Sequence, residues 1–290
     1  MRAMISRFAP APTGFLHLGH VVNAIYVWGN ARRILLRIED HDRQRSRPEF
    51  EAAIIADLDW LGFMWDGPSS RQSERHDIYS QSLDRLRHLG LVYACSCSRA
   101  DVARPSQGRV GGPERPAPPY ELRYPGTCRD RGLIERSGFG IRVRLEPSVE
   151  RFVDLRHGPQ EQRPYEQCGD LLVRDREGNW TYQFAATVDD FEQGVTLVVR
   201  GDDLLASTGR QIQLARLLGR TEAPAFLHHL LIMKGPGQKL SKSDRDTGVR
   251  DLRAQGWSAP RVIGHAAFLA GLIAEPRDVR ADEVSSIMAS

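Results

Sequence analysis

Two histidines three residues apart, His17 and His20, close the stretch Arg7-Phe-Ala-Pro-Ala-Pro-Thr-Gly-Phe-Leu-His-Leu-Gly-His20. Residues 1–8 carry enough β-branched and apolar side chains for a short strand, and Leu18, Val21, Val22, Ile25 and Trp28 then recur at helical spacing. The motif therefore falls in a strand-to-helix turn, where free backbone N–H groups and the positive end of the helix dipole favour phosphate. On one face of the first turn, two imidazoles can donate to phosphate oxygens as charge builds on them. Pro10, Pro12 and Gly14 stiffen the loop, and Gly19 lets a ligand come close. From the pair alone a second role stays open, since histidines near a helix start also cap carbonyls.

The lysines sharpen the chemistry. Of 40 basic residues only three are lysine, Lys234, Lys239 and Lys242, and all lie in Met233-Lys-Gly-Pro-Gly-Gln-Lys-Leu-Ser-Lys-Ser243. A chain that otherwise writes positive charge as Arg keeps its compact, mobile ammonium groups for one Gly/Ser-rich loop. Such a loop suits charge that moves across a phosphoryl group, though it can equally be a solvated loop.

Together these stretches carry a resemblance. His17-Leu-Gly-His20 and Lys239-Leu-Ser-Lys-Ser243 resemble the HIGH and KMSKS signatures of class I aminoacyl-tRNA synthetases, in the right order and separation. Arg7-Phe-Ala-Pro-Ala-Pro-Thr-Gly14, Leu36-Arg-Ile-Glu-Asp40, Val188-Asp-Asp190 and Gly194-Val-Thr-Leu-Val-Val-Arg-Gly201 narrow the likeness to the glutamyl branch. Asp203-Leu-Leu-Ala-Ser-Thr-Gly-Arg-Gln211, with the chain length, is most similar to its short glutamyl-Q members.

Composition agrees without having pointed there. A chain of 290 residues buries one or two sizeable cores, and 27% charged with 41% hydrophobic residues is ordinary for a globular protein. A net charge of +3 permits a nucleic-acid partner without demanding one. No apolar run reaches the roughly 20 residues of a membrane span, and no signal-peptide core opens the chain. Four cysteines, with Cys95-Ser-Cys97 close together, fit a metal or free thiols in a reducing cytosol better than a disulfide framework. A cytoplasmic monomer is expected.

These residues need elements to hold them. Ile34–Ile38 reads as a buried parallel strand after the first helix, delivering Glu39, Asp40 and Asp42 at its carboxyl end, where open α/β sheets bind ligands. Pro48–Leu61 reads as an amphipathic helix with Trp60 and Trp65 as packing residues, Arg75–Leu89 as another stopped by Gly90, and Leu91–Ala94 as a strand. From Cys95 to Gly138 the chain turns Pro-, Gly- and Arg-rich, so it needs something other than an apolar core. Cys95, Cys97 and Cys128 can offer thiolates to zinc, or pack as three buried thiols. Cys168 stands apart as a packed thiol. Gly140–Leu145 alternates as a half-exposed strand with Arg142 and Arg144 on one face, a solvated face or an RNA contact. Leu171–Arg174 and Trp180–Phe184 read as a hairpin returning to the main sheet, with Tyr182 on its second arm. Val195–Arg200 is a core strand, a helix runs from about Asp203 to Leu218, and Phe226–Ile232 is a strand feeding the lysine loop. Short helices follow, marked by Val262, Ile263, Ala266 and Leu269, packing under that loop.

The expected fold is thus α/β: a Rossmann-like class I synthetase catalytic domain with an inserted zinc-binding subdomain and a small C-terminal helical region. The expected divisions are 1–94 for the first catalytic half, 95–169 for the insertion, 170–235 for the second half, and 236–290 for the lysine loop and helices.

The resemblance implies more. ATP and L-glutamate form glutamyl adenylate without tRNA, and glutamate passes to queuosine in the anticodon loop of tRNA(Asp). No room remains for the anticodon-binding domain of full-length glutamyl enzymes. His17, Gly19, His20 and Lys242 would hold ATP, with Lys239 and Lys242 reaching across and Mg²⁺ arriving on the phosphates. Arg7, Phe8, Ala9, Pro10, Ala11, Glu39, Tyr182 and Arg200 would form the glutamate site: guanidinium forks match its side-chain carboxylate, Tyr182 adds a hydrogen bond and Glu39 meets the ammonium. Ala11 departs from the family's usual Ser and removes a hydroxyl there. The family's CxC…YxxxC pattern makes Tyr124 the fourth zinc ligand beside Cys95, Cys97 and Cys128, with Tyr120 as competitor. Three alternatives remain: a truncated enzyme charging the 3′ end of tRNA(Glu), a small-molecule nucleotidyltransferase, and a non-catalytic zinc-bearing RNA-binding module.

Overall fold

The computed structural model describes residues 4–103, 122–235, 238–239 and 248–288, the side chains of 233–235 and 238–239 excepted. The chain opens with β1 (Ile5–Phe8), α1 (Leu18–Asn30), β2 (Arg33–Ile38), α2 (Pro48–Leu61) and β3 (Ser70–Arg71). β1 pairs parallel with β2, and β2 parallel with β3, so α1 is a βαβ crossover. Pro48 starts α2 at a position whose N–H has no helical partner, Glu49 and Glu51 complement the dipole, and Gly62 ends it in the left-handed region at φ 83°.

α3 (His76–His88) leads to β4 (Val92–Cys95) and the short α4 (Arg99–Ala103). β5 (Gly140–Val143), β6 (Glu150–Asp154), β7 (Gly158–Gln162), α5 (Pro164–Cys168) and β8 (Leu171–Arg174) follow. The second half carries α6 (Tyr182–Glu192), β9 (Leu197–Gly201), α7 (Thr208–Leu217) and β10 (Ala225–His229). A small pair, β11 (Met233–Gly235) and β12 (Gln238–Lys239), precedes α8 (Val249–Ala254), α9 (Ala259–Leu269) and α10 (Val284–Ile287).

The sheets order as β1-β2-β3, β7-β6-β10-β9 and β4-β5-β8. The first two meet side by side, because the Thr196 N–H donates to the Ile5 carbonyl at 2.9 Å and β1 runs beside β9. One doubly wound sheet results, with β1, β2, β9 and β10 parallel and their carboxyl ends on one side.

Sheet membership crosses the expected divisions. β6 and β7, inside 95–169, extend the main sheet through β10, whereas β4 and β8 flank β5 antiparallel in a sheet of their own. The hairpin expected to return to the main sheet therefore does not. Its first arm is β8, Trp180 makes only an isolated bridge to Arg174, and Tyr182 begins a helix. The alternation over five residues belongs to a longer helical period, with Phe184, Ala185 and Val188 buried on one face against Tyr79 and Leu214. The Gly140–Val143 strand is buried throughout rather than half-exposed, because Ile141 and Val143 pack in the core with Leu86 and Val173 while Arg142 on the other face is covered by Tyr124.

The main core joins α1 (Leu18, Val21, Val22, Ile25) to β2, α2 and the C-terminal helices. Gly29 lets α1 approach the C-terminal helix closely, since a Cβ there would sit 2.5 Å from Met288 Cγ and 3.3 Å from the Val284 carbonyl oxygen. Ile25 is fully buried, so truncating it to Ala costs roughly 2–5 kcal/mol. Trp60 and Trp65 pack on the margin of this core. Among the described residues no helix is long and apolar enough to cross a membrane.

Candidate active site

A cavity of about 610 Å³ lies at the carboxyl ends of β1, β2, β9 and β10. His17, Gly19 and His20 form one wall and Arg7, Glu39, Tyr182 and Arg200 another, with Ala9, Pro10 and Ala11 between. Phe8 is apart: it is buried in the core, edge-on to Trp28 at 5.5 Å. Strand alternation explains this, because Arg7 and Phe8 point to opposite faces of the sheet.

The histidine wall is a helix cap. His17 is the N-cap of α1; its Nδ1 accepts the Gly19 N–H at 3.1 Å, and His20 Nδ1 accepts the His17 N–H at 3.2 Å. The rings lie 4.0 Å apart on one face. With Nδ1 accepting, each neutral ring carries its proton on Nε2 and is a donor there. A Cβ on Gly19 would come within 2.9 Å of the His17 ring, so this cap needs glycine.

The opposite wall is charged and dry. Arg37, on β2, is fully buried among Glu39, Asp189 and Asp190, and Arg7 Nε shares Asp190 at 2.9 Å. Burial pushes the Glu39 carboxyl up despite Arg37 and Arg7, while for Asp190 the same two guanidinia outweigh burial and hold it down. Arg200 differs. Its Nε donates to His228 Nε2 at 2.9 Å, one terminal nitrogen to Gln211 Oε1 at 2.6 Å and the other to Thr208 Oγ1 at 2.9 Å. The nearby Tyr182 hydroxyl also favours the charged guanidinium. Every one of these partners is neutral, and burial together with the Arg7 charge pulls the guanidinium below its usual pKa. A buried cation on the rim of a cavity, with no paired anion among the described residues, is chemically suited to receive a carboxylate.

Lys242 lies outside the described residues, and for Lys239 only the backbone, in β12, is described. The ends of their segment are fixed, however. Ile232 lines the cavity, and Gly248 bridges to His17 while the Val249 N–H donates to the Leu16 carbonyl at 2.9 Å.

Residues 3–275 match the family described as tRNA synthetases class I (E and Q), catalytic domain. The chain belongs to that family. It is 41% identical to the glutamyl-Q tRNA(Asp) synthetase of Rhodobacter capsulatus over 90% of this chain and 100% of that one. It is 42% identical to the protein of the same name from Symbiobacterium thermophilum, over 97% and 91%. Among solved structures it is similar to a glutamate tRNA ligase from Elizabethkingia meningosepticum in complex with its amino acid, with a TM-score of 0.77 and 27% identity. It covers 64% of that longer chain, with 98% of its own residues aligned.

This synthetase catalytic domain also carries a thiol cluster. Cys95, Cys97 and Cys128 place their sulfurs within 4.8 Å of one another, with Cys97 and Cys128 3.6 Å apart. Tyr124 Oη lies 3.5 Å from Cys95 Sγ and accepts the Cys128 N–H at 2.8 Å. A tetrahedron with Zn–S bonds of about 2.3 Å has edges of about 3.8 Å, so this donor set fits zinc. Although burial works against it, hydrogen bonds from Ser96, Cys97 and Tyr124 draw the Cys128 thiol down to about 6, and burial lifts Cys97. Tyr120 lies outside the described residues. Cys168 is buried apart, donating to the Gly169 carbonyl at 3.3 Å.

Sequence reasoning left Arg142 on a solvated or RNA-facing surface; instead it is buried over the Tyr124 ring and donates to Cys95 Sγ at 3.3 Å. It also passed over Arg37, Thr208, Gln211 and His228. Asp190 and Gln211 close two of the quoted motifs, and the pair His228-His229 in an otherwise apolar strand was a readable signal.

Proposed function

We propose that the chain activates L-glutamate with ATP and passes it to queuosine in the anticodon loop of tRNA(Asp). The observation that carries this reading is Arg200, a buried guanidinium held among the described residues by neutral side chains, across one cavity from a histidine-capped helix start. A side-chain carboxylate completes Arg200 as an ion pair, whereas the amide of glutamine leaves the cation unpaired, and a site of that kind discriminates strongly.

In this reading Arg7 and Tyr182 flank the side-chain carboxylate and Glu39 takes the ammonium group. A carboxylate oxygen of the glutamate α-carboxyl bonds to the α-phosphorus of ATP as the bond to pyrophosphate breaks. The Nε2–H groups of His17 and His20 meet the phosphates, Mg²⁺ travels with them, and Lys239 and Lys242 neutralise the leaving pyrophosphate. Lys239 and Lys242 stand nine and six positions before Gly248, which bridges to His17, so the sequence returns from the lysines to the histidine cap within a few residues. A queuosine hydroxyl then attacks the acyl carbon and AMP leaves. Zinc on Cys95, Cys97, Cys128 and Tyr124 supplies folding energy to the insertion rather than chemistry.

The test is transfer of labelled glutamate to tRNA(Asp) with and without queuosine, beside tRNA(Glu). Label on the queuosine form alone, with pyrophosphate exchange in the absence of any tRNA, is the expected result. Charging of tRNA(Glu), or exchange that requires tRNA, overturns it.

A further inference from the structure

Behind Arg200 stands a buried chain of hydrogen bonds. His228 is 0% exposed and Asp154 1%. Asp154 Oδ2 lies 2.7 Å from His228 Nδ1 and 3.1 Å from the His228 backbone N, while Asp154 Oδ1 accepts the backbone N–H groups of Arg156 and His157 at 3.0 Å each. The other face of the imidazole, Nε2, lies 2.9 Å from Arg200 Nε and 3.3 Å from Thr208 Oγ1.

The proton positions follow from donor chemistry. A guanidinium has no acceptor, so Nε2 must offer a lone pair to Arg200. The ring proton then sits on Nδ1 and is donated to Asp154. Burial and the Arg200 charge hold the imidazole pKa down to about 4 against the pull of Asp154, so the ring is neutral.

We propose that His228, its tautomer fixed by Asp154, is a positioning residue for substrate selection: it aims Arg200 at the cavity without neutralising it. This rests on the reading of Arg200 as the receptor for the glutamate side chain. A carboxylate in the place of His228 would grip the guanidinium harder but take up its charge, as Asp190 does for both Arg7 and Arg37. A hydroxyl, an amide and a neutral imidazole instead fix its plane and leave its charge for the ligand. Asp154 acts one bond further back, so its negative charge orients the ring while the ring separates it from the guanidinium.

The experiment compares wild type with Asp154→Asn, His228→Gln, the double variant and Gln211→Glu in tRNA-free ATP–pyrophosphate exchange, with melting curves to establish folding. An asparagine amide turned toward Nδ1 displaces the ring proton to Nε2, against the Arg200 N–H. Asp154→Asn is therefore expected to raise the glutamate KM by about 10-fold or more, with kcat and the ATP KM changed less than about threefold. A glutamine at 228 offers its carbonyl oxygen without needing a tautomer, so His228→Gln retains most of the glutamate affinity, and adding Asp154→Asn to it costs less than about threefold. Gln211→Glu places an anion on the same guanidinium and is expected to lower the preference for glutamate over glutamine by about 10-fold or more. Equal losses from Asp154→Asn in both backgrounds, a parallel fall in kcat, or unchanged selectivity in Gln211→Glu overturns the proposal. If Asp154→Asn fails to fold, Gln211→Glu and His228→Gln decide it. Wild-type protein without glutamate-dependent exchange sinks the functional reading itself; active wild type with the wrong variant pattern sinks only this inference.

Discussion

The ring of His17 accepts the Gly19 N–H, and the ring of His20, one turn on, accepts the N–H of His17. The two imidazoles thus begin the helix that presents them, and both line the cavity with the ring proton on Nε2. Capping and the proposed phosphate binding are two sides of one arrangement.

Substitution can separate those sides. Asparagine is a strong N-cap, so His17→Asn is expected to leave thermal stability within about 0.5 kcal/mol while lowering glutamate-dependent pyrophosphate exchange by about 10²-fold. His20→Ala is expected to lower exchange similarly. Exchange within twofold of wild type in both variants would remove the imidazoles from the chemistry.

Arg200 should tolerate no substitute. Lysine cannot reach His228, Gln211 and Thr208 at once, since a guanidinium fork serves them in fixed geometry. Arg200→Lys is expected to raise the glutamate KM by about 10²-fold while the ATP KM stays within about threefold. Steady-state exchange at saturating ATP reads this directly.

Asp57 makes a pH prediction. It is 5% exposed on α2, its Oδ2 has no hydrogen-bond partner among the described residues, and burial lifts its carboxyl to about 6 against the opposing charges of Arg253 and Arg250. A raised carboxyl favours its protonated form in the fold, so stability is intact below the unfolded pKa near 3.8 and is lost as pH rises through 6. Asp57→Asn is therefore expected to stabilise the protein at pH 7.5 by on the order of 1–3 kcal/mol, with the difference vanishing near pH 4. Melting curves of both proteins across that range check it.

Metal analysis tests the thiol cluster. Purified protein is expected to hold one zinc per chain, and Cys97→Ser or Cys128→Ser to hold less than about a tenth of that. Chelation should lower the melting temperature by several degrees, with β4, β5 and β8 losing hydrogen-exchange protection first. Metal-free wild type of unchanged stability would count against a structural metal.

Much of the layout was legible because it rests on local signals. Pro48–Leu61 carries its start and stop in Pro48 and Gly62, and the strand delivering Glu39 is apolar from Ile34 to Ile38 except at Arg37. Tyr182 was misplaced because five residues show period two as easily as part of period 3.6, and only Ala185 and Val188 beyond them decide it. Arg142 was misplaced for another reason: an arginine in a strand reads as solvated, and its burial depends on Tyr124, eighteen residues away, and on Cys95, forty-seven away. The partners of Arg200 were hidden likewise, since Thr208, Gln211 and His228 gather around it only after β9, α7 and β10 pack. Residue types announce which groups can do chemistry; long-range packing decides which are made ready for it.

The bridge from His17 to Gly248 stitches the beginning of the chain to the helices near its end, and α9 and α10 in turn pack on α1. A nucleotide that grips the histidine cap would therefore tighten two remote stretches of polypeptide at once. Slowed amide exchange should spread together through Leu18–Asn30 and Val249–Ile287, regions far apart in sequence that saturate at a single nucleotide concentration.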